Sequence, residues 1–229
     1  MEAVILAGGF GTRLRAVVPD LPKPLAPVAG RPFLAILLAE LARQGFTRVV
    51  LSVGYKHELI RATFGEHFMG MEVAYAVEEQ PLGTGGAIRL ASRQCRGAEM
   101  FVLNGDSYVA LDYAAMHASH RAARARLTLC AVEVPDVGRY GKVIIGNGRV
   151  TGFAEKGGSG PGCINAGVYL LAPALVQGDD LPEAFSFEQG FLTPRLQQLD
   201  PLAYVAKGLF IDIGVPEDYA RAETLFAVA

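Results

Sequence analysis

Residues suited to binding phosphate are concentrated near the start of the chain. The apolar run at residues 3–7 ends in Gly8-Gly9-Phe10-Gly11-Thr12-Arg13. Glycine lets the backbone approach a ligand closely and point its N–H groups at phosphate oxygens, and arginine forms charged, two-pronged hydrogen bonds with phosphate. Lys23 lies between Pro22 and Pro24, which restrict the backbone and fix the direction of the ammonium group. These residue types predict a site for a ligand that carries phosphate.

Two common phosphate-binding motifs do not fit this segment. The dinucleotide-binding fingerprint G-x-G-x-x-G requires a third glycine where the chain has Leu14, which argues against a dehydrogenase. A P-loop requires lysine and then serine or threonine directly after its last glycine, where the chain has Thr12-Arg13. On these residues alone, a glycine-rich turn with one surface arginine remains the alternative.

Two aspartates at the ends of predicted strands could bind a divalent cation. Asp106 follows an apolar strand through Asn104 and Gly105, and Asp212 stands between apolar residues in Phe210-Ile211-Asp212-Ile213-Gly214. Mg²⁺ prefers oxygen ligands, commonly one or two carboxylates together with phosphate and water. Taken singly, each aspartate is equally typical of a turn or a helix cap.

The elements that must position these residues alternate in type along the chain. Strands are predicted at residues 3–7, 48–53, 71–77, 99–103 and 127–134, a hairpin at 142–145 and 149–154, and further strands at 163–171, 202–205 and 209–213. Helices are predicted from residues 31–33 to Gly45, at 57–64, from the second glycine-rich loop to Ala91, at 113–125, at 188–199 and from Pro216.

This alternation predicts an α/β fold with a doubly wound parallel sheet, to which the later hairpin adds antiparallel strands. Ligands of open α/β sheets bind beyond the C-terminal ends of the strands, where Gly8 and Asp106 both fall. No internal repeat and no linker are evident. We therefore expect a single domain over residues 1–229.

Composition narrows the choice of partners and of cellular setting. The net charge of −2 gives no basic field for nucleic acid or for a membrane surface, and no apolar run is long enough to span a bilayer. The three cysteines match no zinc-binding spacing, and together with an N-terminus unlike a signal peptide they predict a cytoplasmic protein. The four histidines form no recognisable site, and His117 and His120 are predicted to share a solvated helix face.

The string at residues 3–27, AVILAGGFGTRLRAVVPDLPKPLAP, closely resembles the signature of the sugar-1-phosphate nucleotidyltransferases. These enzymes make nucleotide sugars from a nucleoside triphosphate and a sugar 1-phosphate. Further similarity extends over essentially the whole chain, with the clearest motifs at residues 80–87, 104–106, 153–156, 165–167 and 210–219. The resemblance implies a doubly wound, Rossmann-like mixed sheet of the glycosyltransferase-A type, and Mg²⁺ as the cofactor. It also implies a nucleotide-binding part at about residues 1–134 and a sugar-phosphate-binding part at about residues 135–229.

The resemblance also implies roles for individual residues. Binding of the nucleotide is implied for Leu6, Gly8, Gly9, Gly11, Thr12, Arg13, Gln80 and Gly85. Binding of the sugar phosphate is implied for Asn104, Glu155, Lys156 and Asn165. Catalysis is implied for Arg13, Lys23, Asp106 and Lys156, and metal binding for Asp106 and Asp212. The chain departs from the family pattern at Gly157, where a proline often follows the Glu-Lys pair.

Within the family, residues 82–87 (LGTGGA) are similar to guanylyltransferases and to some uridylyltransferases, and residues 186–188 and 210–219 to enzymes that act on a manno-configured heptose 1-phosphate. GTP and that heptose 1-phosphate are therefore the expected substrates, and the product would serve surface polysaccharide synthesis. The alternatives are a mannose-1-phosphate guanylyltransferase and a uridylyl- or thymidylyltransferase for a hexose 1-phosphate. A non-catalytic subunit that senses nucleotide sugars is an alternative of another class, and a homodimer remains open.

Overall fold

The computed structural model describes residues 1–9, 18, 21–154, 157–178 and 180–227. The strands are β1 (Glu2–Leu6), β2 (Pro27–Val28), β3 (Arg31–Pro32), β4 (Arg48–Val53), β5 (His67–Phe68), β6 (Met71–Val77), β7 (Met100–Asn104), β8 (Ser107–Val109), β9 (Leu127–Val134), β10 (Lys142–Gly146), β11 (Arg149–Ala154), β12 (Gly162–Leu171), β13 (Leu202–Ala206) and β14 (Phe210–Asp212). The α-helices are α1 (Phe33–Arg43), α2 (His57–Phe64), α3 (Gly83–Ser92), α4 (Tyr113–Ala122), α5 (Leu196–Leu199) and α6 (Pro216–Phe226). Single turns of 3₁₀ helix lie at Lys23–Leu25 and Pro173–Val176, and a π-helix at Phe187–Leu192. None of the described helices is long and apolar enough to cross a membrane.

Ten of the described strands form one mixed sheet in the order β10-β11-β13-β9-β12-β7-β1-β4-β6-β5. The neighbours β7, β1, β4 and β6 are all parallel, whereas β12 is antiparallel to both β7 and β9. From β1 the chain adds β4 and β6 on one side and β7 on the other, so the order of strands reverses between β1 and β7. A crevice at such a reversal is the usual ligand site of a doubly wound sheet. The predicted doubly wound mixed sheet is confirmed.

The predicted hairpin is confirmed as β10 and β11, which pair antiparallel at the far end of the sheet. Strand β10 also pairs with the start of β12, where Val143 lies opposite Cys163. This end of the sheet therefore curls back on itself, and it contains most of the part predicted to bind the sugar phosphate.

Apolar cores lie on both faces of the sheet. In β1, Ala3 and Ile5 contribute to one core together with residues of α1, α2, α4 and α6, while Val4 contributes to the other together with residues of α3 and the π-helix. Because both faces are covered, the central parallel strands are apolar at nearly every position. This explains why they appear in the sequence as continuous apolar runs.

The single helix predicted at residues 188–199 is wrong. The π-helix ends at Leu192, a turn follows, and α5 forms only Leu196–Leu199. Pro194 explains the break, because proline has no backbone N–H and its ring collides with the preceding helical turn. Gly190 lowers the helical preference of the same segment further.

The predicted solvated face for His117 and His120 is wrong for His120, which is 3% exposed. Its Nδ1 lies 2.7 Å from the hydroxyl of Thr128 on β9, and burial lowers the pKa of the ring. His117 lies closer to the surface, with its Nε2 2.6 Å from a carboxylate oxygen of Glu99. The two histidines therefore belong to the packing of α4 against the sheet.

Candidate active site

Asp106 and Asp212 are brought together by a small two-stranded sheet that lies outside the main one. Strand β8 follows Asp106 directly and pairs antiparallel with β14, so that Ser107 lies opposite Asp212. The backbone N–H of Ile213 donates a 2.9 Å hydrogen bond to the carbonyl of Asp106. Two aspartates far apart in the sequence therefore occupy adjacent positions.

The two carboxylates differ in their surroundings. Burial raises the pKa of Asp212, and the negative charge of Asp106 raises it further. The charges of Lys23 and Arg139 and a 2.7 Å hydrogen bond from the N–H of Gly214 act in the opposite direction. The net effect is a pKa for Asp212 above the usual range, so that a bound cation would stabilise the ionised form.

Lys23 connects these two carboxylates. Its ammonium lies 2.5 Å from Oδ2 of Asp106 and 3.9 Å from Oδ1 of Asp212, and its side chain is 11% exposed. Lys23 opens a 3₁₀ turn that is closed by hydrogen bonds from Leu25 to Pro22 and from Ala26 to Lys23. The prolines on either side thus contribute to a rigid turn that directs the ammonium at the aspartates.

The oxygen donors of the aspartate pair fit a magnesium ion, whose remaining ligands would be phosphate oxygens and water. No group of three or more His, Cys, Asp or Glu side chains within the described ranges is arranged to hold a metal. The protein therefore offers two carboxylates, and Mg²⁺ commonly takes one or two carboxylates together with phosphate oxygens and water.

A cleft of about 840 Å³ lies at the C-terminal ends of β1, β4, β6 and β7, beside this cluster. It brings together many of the residues that the sequence predicted to be functional, namely Leu6, Gly8, Gly9, Lys23, Gln80, Asn104 and Asp106. Its lining also includes residues that the sequence analysis did not identify, namely Tyr55, His57, Glu78 and Glu79. In the sequence, these residues are marked only by their position shortly after the ends of β4 and β6.

The first two glycines of the opening motif have different surroundings. A Cβ on Gly8 would lie 2.8 Å from a carboxylate oxygen of Glu78. That carboxylate is fixed by hydrogen bonds from the hydroxyl of Ser52 and the N–H of Leu82. A Cβ on Gly9 would meet no atom of the described residues within 4 Å. Gly8 is therefore required by the protein's own packing, whereas among the described residues nothing crowds Gly9, which lines the cleft.

The second glycine-rich loop packs against the protein itself. Gly85 donates its N–H to the carbonyl of Phe185 at 2.8 Å, and a Cβ on Gly85 would lie 2.1 Å from the Phe185 ring. A Cβ on Gly86 would lie 2.5 Å from the carbonyl oxygen of Glu183. Gly85 is not among the residues that line the cleft. The structure gives this glycine a packing role, and its contact with the nucleotide stays a prediction.

Asn165 is held by groups of the protein. Its amide nitrogen donates to the hydroxyl of Tyr169 at 2.6 Å and to the carboxylate of Glu188 at 2.8 Å, and its carbonyl oxygen accepts from the N–H of Gly167 at 3.0 Å. Asn104 packs over Gly167, where a Cβ would lie 2.3 Å from the Asn104 amide. Glu188 therefore orients a predicted sugar-binding residue, a function that its position in the sequence motif did not specify.

Comparison with known proteins identifies the chain. The sequence profile of the nucleotidyl transferase family matches residues 2–227. The chain belongs to this family. As a nucleotidyl transferase, it is 43% identical over 97% of its length to D-glycero-alpha-D-manno-heptose 1-phosphate guanylyltransferase of Aneurinibacillus thermoaerophilus, of which it also covers 97%. The enzyme of the same name from Campylobacter jejuni is 39% identical over 96% of the chain and is covered to 97%.

The structural comparison agrees with this assignment. The crystal structure of HddC from Yersinia pseudotuberculosis matches with a TM-score of 0.89 and 40% identity, over 98% of this chain and 99% of that one. HddC complexed with GMP-PN matches with the same values. The fold expected from the family resemblance is therefore confirmed, and the protein is an enzyme of the nucleotidyl transferase type.

Five predicted site residues of this nucleotidyl transferase, namely Gly11, Thr12, Arg13, Glu155 and Lys156, lie outside the described residues. Their roles stay predictions. The described neighbours Gly9 and Lys23 line the cleft.

Proposed function

We propose that this nucleotidyl transferase transfers GMP from GTP to D-glycero-α-D-manno-heptose 1-phosphate, releasing pyrophosphate and forming a GDP-heptose. The observation that carries the chemistry is the cluster of Lys23, Asp106 and Asp212 beside a cleft large enough for a nucleotide. The full-length similarity to heptose 1-phosphate guanylyltransferases supports the choice of substrates. The product would serve the synthesis of a surface polysaccharide, and we place the enzyme in the cytoplasm, where GTP is available.

The reaction needs positioning and charge stabilisation more than acid or base catalysis. An oxygen of the sugar 1-phosphate attacks the α-phosphorus of GTP, and the bond from that phosphorus to the β-phosphate oxygen breaks. The attacking phosphate is already anionic at neutral pH, so no protein base has to remove a proton. The protein contributes by aligning the two phosphates and stabilising the charge that develops on the departing pyrophosphate.

Individual residues are assigned to these tasks as follows. Lys23 and Arg13 neutralise the triphosphate, and Lys156 directs the phosphate of the acceptor. Asp106 and Asp212 would hold Mg²⁺, which would neutralise phosphate charge and stabilise the leaving group. Residues 1–134 hold the nucleotide and residues 135–229 the sugar phosphate.

Guanine recognition is assigned to the part of the cleft that follows β6. Gln80 lines the cleft there, and its amide nitrogen lies 3.4 Å from Glu183. Guanine carries an amino group and an adjacent ring N–H that uracil does not present in the same arrangement. A site whose polar groups pair with them leaves those groups unpaired when uracil binds, and such a site discriminates strongly.

The test is kcat/KM, measured by pyrophosphate release, for GTP, UTP, dTTP, CTP and ATP with heptose, mannose and glucose 1-phosphates. We expect a clear preference for GTP but only about 1–3 kcal/mol between heptose and mannose, because they differ by one CHOH group. A higher kcat/KM for UTP with glucose 1-phosphate would contradict the proposed substrates. Absence of turnover with every pair would favour the sensing subunit.

A further inference from the structure

The loop between β9 and β10, residues 135–141, contacts two parts of the site that are distant in sequence. The N–H of Val137 donates to the carbonyl of Gly160 at 3.0 Å, and the N–H of Gly157 donates to the carbonyl of Gly138 at 3.1 Å. Gly157 directly follows Glu155 and Lys156 in the sequence. The loop is therefore joined to the segment that begins where the predicted sugar-phosphate residues end.

The other side of the same loop packs against the elements that carry Asp212. The ring of Tyr140 lies edge-on to Phe210, the first residue of β14, with 5.7 Å between ring centroids. Arg139 forms a 2.6 Å ion pair with Asp218 in the first turn of α6, and the hydroxyl of Tyr140 lies 3.4 Å from the same carboxylate oxygen. Arg139 is thus placed between the segment after Lys156 and the strand that ends in Asp212.

The fixed orientation and partial exposure of the Arg139 side chain suit it to bind an anion. Its guanidinium lies 5.1 Å from the centroid of the Tyr140 ring, and the ion pair with the mostly buried Asp218 fixes one of its nitrogens. The side chain is nevertheless 47% exposed. An arginine has five N–H donors, so donors remain for a second oxyanion.

The charge distribution of the site favours a further positive group near Asp212. Lys23 is paired with Asp106, and the Asp212 carboxylate lies close enough to Arg139 for their charges to interact. The incoming sugar 1-phosphate carries negative charge and must approach two carboxylates and a triphosphate. A fixed guanidinium on the Asp212 side would offset this repulsion.

We propose that Arg139 binds the phosphate group of the acceptor sugar 1-phosphate, held in position by Asp218. The inference rests on the proposed function, and it adds a specific residue for the acceptor that the sequence motifs did not identify. Arg139 thereby acts on the binding of the acceptor and not on that of GTP.

The experiment measures KM and kcat for each substrate separately in Arg139→Ala, Arg139→Lys and Asp218→Asn. Loss of charged hydrogen bonds predicts that Arg139→Ala raises KM for the sugar 1-phosphate by about 10- to 100-fold while KM for GTP changes less than about twofold. Arg139→Lys is expected to recover part of the loss, because it keeps the charge without the planar fork. Asp218→Asn is expected to raise the same KM to a smaller extent. Arg126→Ala, at an exposed arginine outside this loop, is the matched control and should behave as wild type.

Two outcomes would overturn the inference. One is an unchanged KM for the sugar 1-phosphate in Arg139→Ala. The other is an equal rise in KM for both substrates together with a higher Mg²⁺ requirement, which would show that the loop only supports Asp212. All assays use the sugar 1-phosphate and nucleotide that the wild-type enzyme turns over best. Assays of the wild-type enzyme test the proposed substrates, and assays of the variants test Arg139. The two proposals can therefore fail independently.

Discussion

Lys23 donates a 2.5 Å hydrogen bond to Asp106, a residue 83 positions later in the chain. The ion pair neutralises part of the negative charge of the aspartate pair and connects the opening motif to the end of β7. Because Lys23 also lines the cleft, the proposed binding of a cation by the carboxylates would leave the same ammonium in position to contact a phosphate.

Replacement of Lys23 by alanine should reduce turnover strongly. A charged contact that stabilises the transition state contributes about 100-fold or more, and we expect kcat/KM to fall by at least that factor. The measurement is pyrophosphate release under saturating Mg²⁺. Lys207→Ala, at an exposed lysine after β13, is the control and should retain full activity. Turnover near that of wild type in Lys23→Ala would remove Lys23 from the mechanism.

Asp106 and Asp212 should determine the metal requirement. A chelator is expected to abolish activity and added Mg²⁺ to restore it, and Asp106→Asn and Asp212→Asn should each shift the Mg²⁺ titration to higher concentration because a carboxylate ligand is lost. Asp200→Asn, at an exposed aspartate before β13, should leave the titration unchanged. Identical titration curves for wild type and both active-site variants would refute the assignment.

Asp212→Asn should stabilise the metal-free protein at neutral pH. Burial and Asp106 raise the pKa of Asp212 above its ordinary value of 3.8, so the ionised carboxylate destabilises the fold. The penalty is complete above the raised pKa. It shrinks as the pH falls through the raised pKa and disappears below 3.8, where folded and unfolded chains are both protonated. In EDTA at pH 7.5 the variant should melt higher, by about 2–4 °C per kcal/mol of penalty removed, and the difference should shrink towards pH 4. A lower melting temperature for the variant at pH 7.5 would contradict this account.

Alanine at Gly85 and at Gly9 should have opposite consequences. Gly85→Ala places a methyl group on the Phe185 ring, so we expect a loss of about 1–3 kcal/mol in the free energy of unfolding. Gly9→Ala should leave stability unchanged but lower kcat/KM, because its methyl group would enter the cleft. The measurements are urea unfolding and initial rates for both variants. Phe185→Ala in the Gly85→Ala background should recover part of the lost stability, and failure to recover it would show that another contact is responsible.

The sequence by itself predicted the central strands and the first helices. The bounds of β4, β6, β9 and α2 agree residue for residue with the expectation. Apolar periodicity and chain-breaking residues are local properties, and in the parallel core the burial of both faces gives β1, β4 and β7 a nearly continuous apolar run. The family motifs also predicted that Lys23, Asp106 and Asp212 are functional, because the residues around each of them in the chain match the family pattern.

Only the tertiary structure decided how these residues meet. The pairing of β8 with β14 places Asp212 beside Asp106. A strand is predicted at residues 209–213, but β8 has only three residues and is not predicted, and neither pattern specifies that the two strands pair. The Phe185 ring occupies the space that Gly85 leaves, and Glu188 orients Asn165 from a helix that Pro194 interrupts. His120 is buried because Thr128 and Glu99 lie beside it, which the pattern of α4 alone does not reveal. Each of these contacts joins residues from separate elements, and a local pattern cannot specify them because their energy depends on the neighbours that the completed fold supplies.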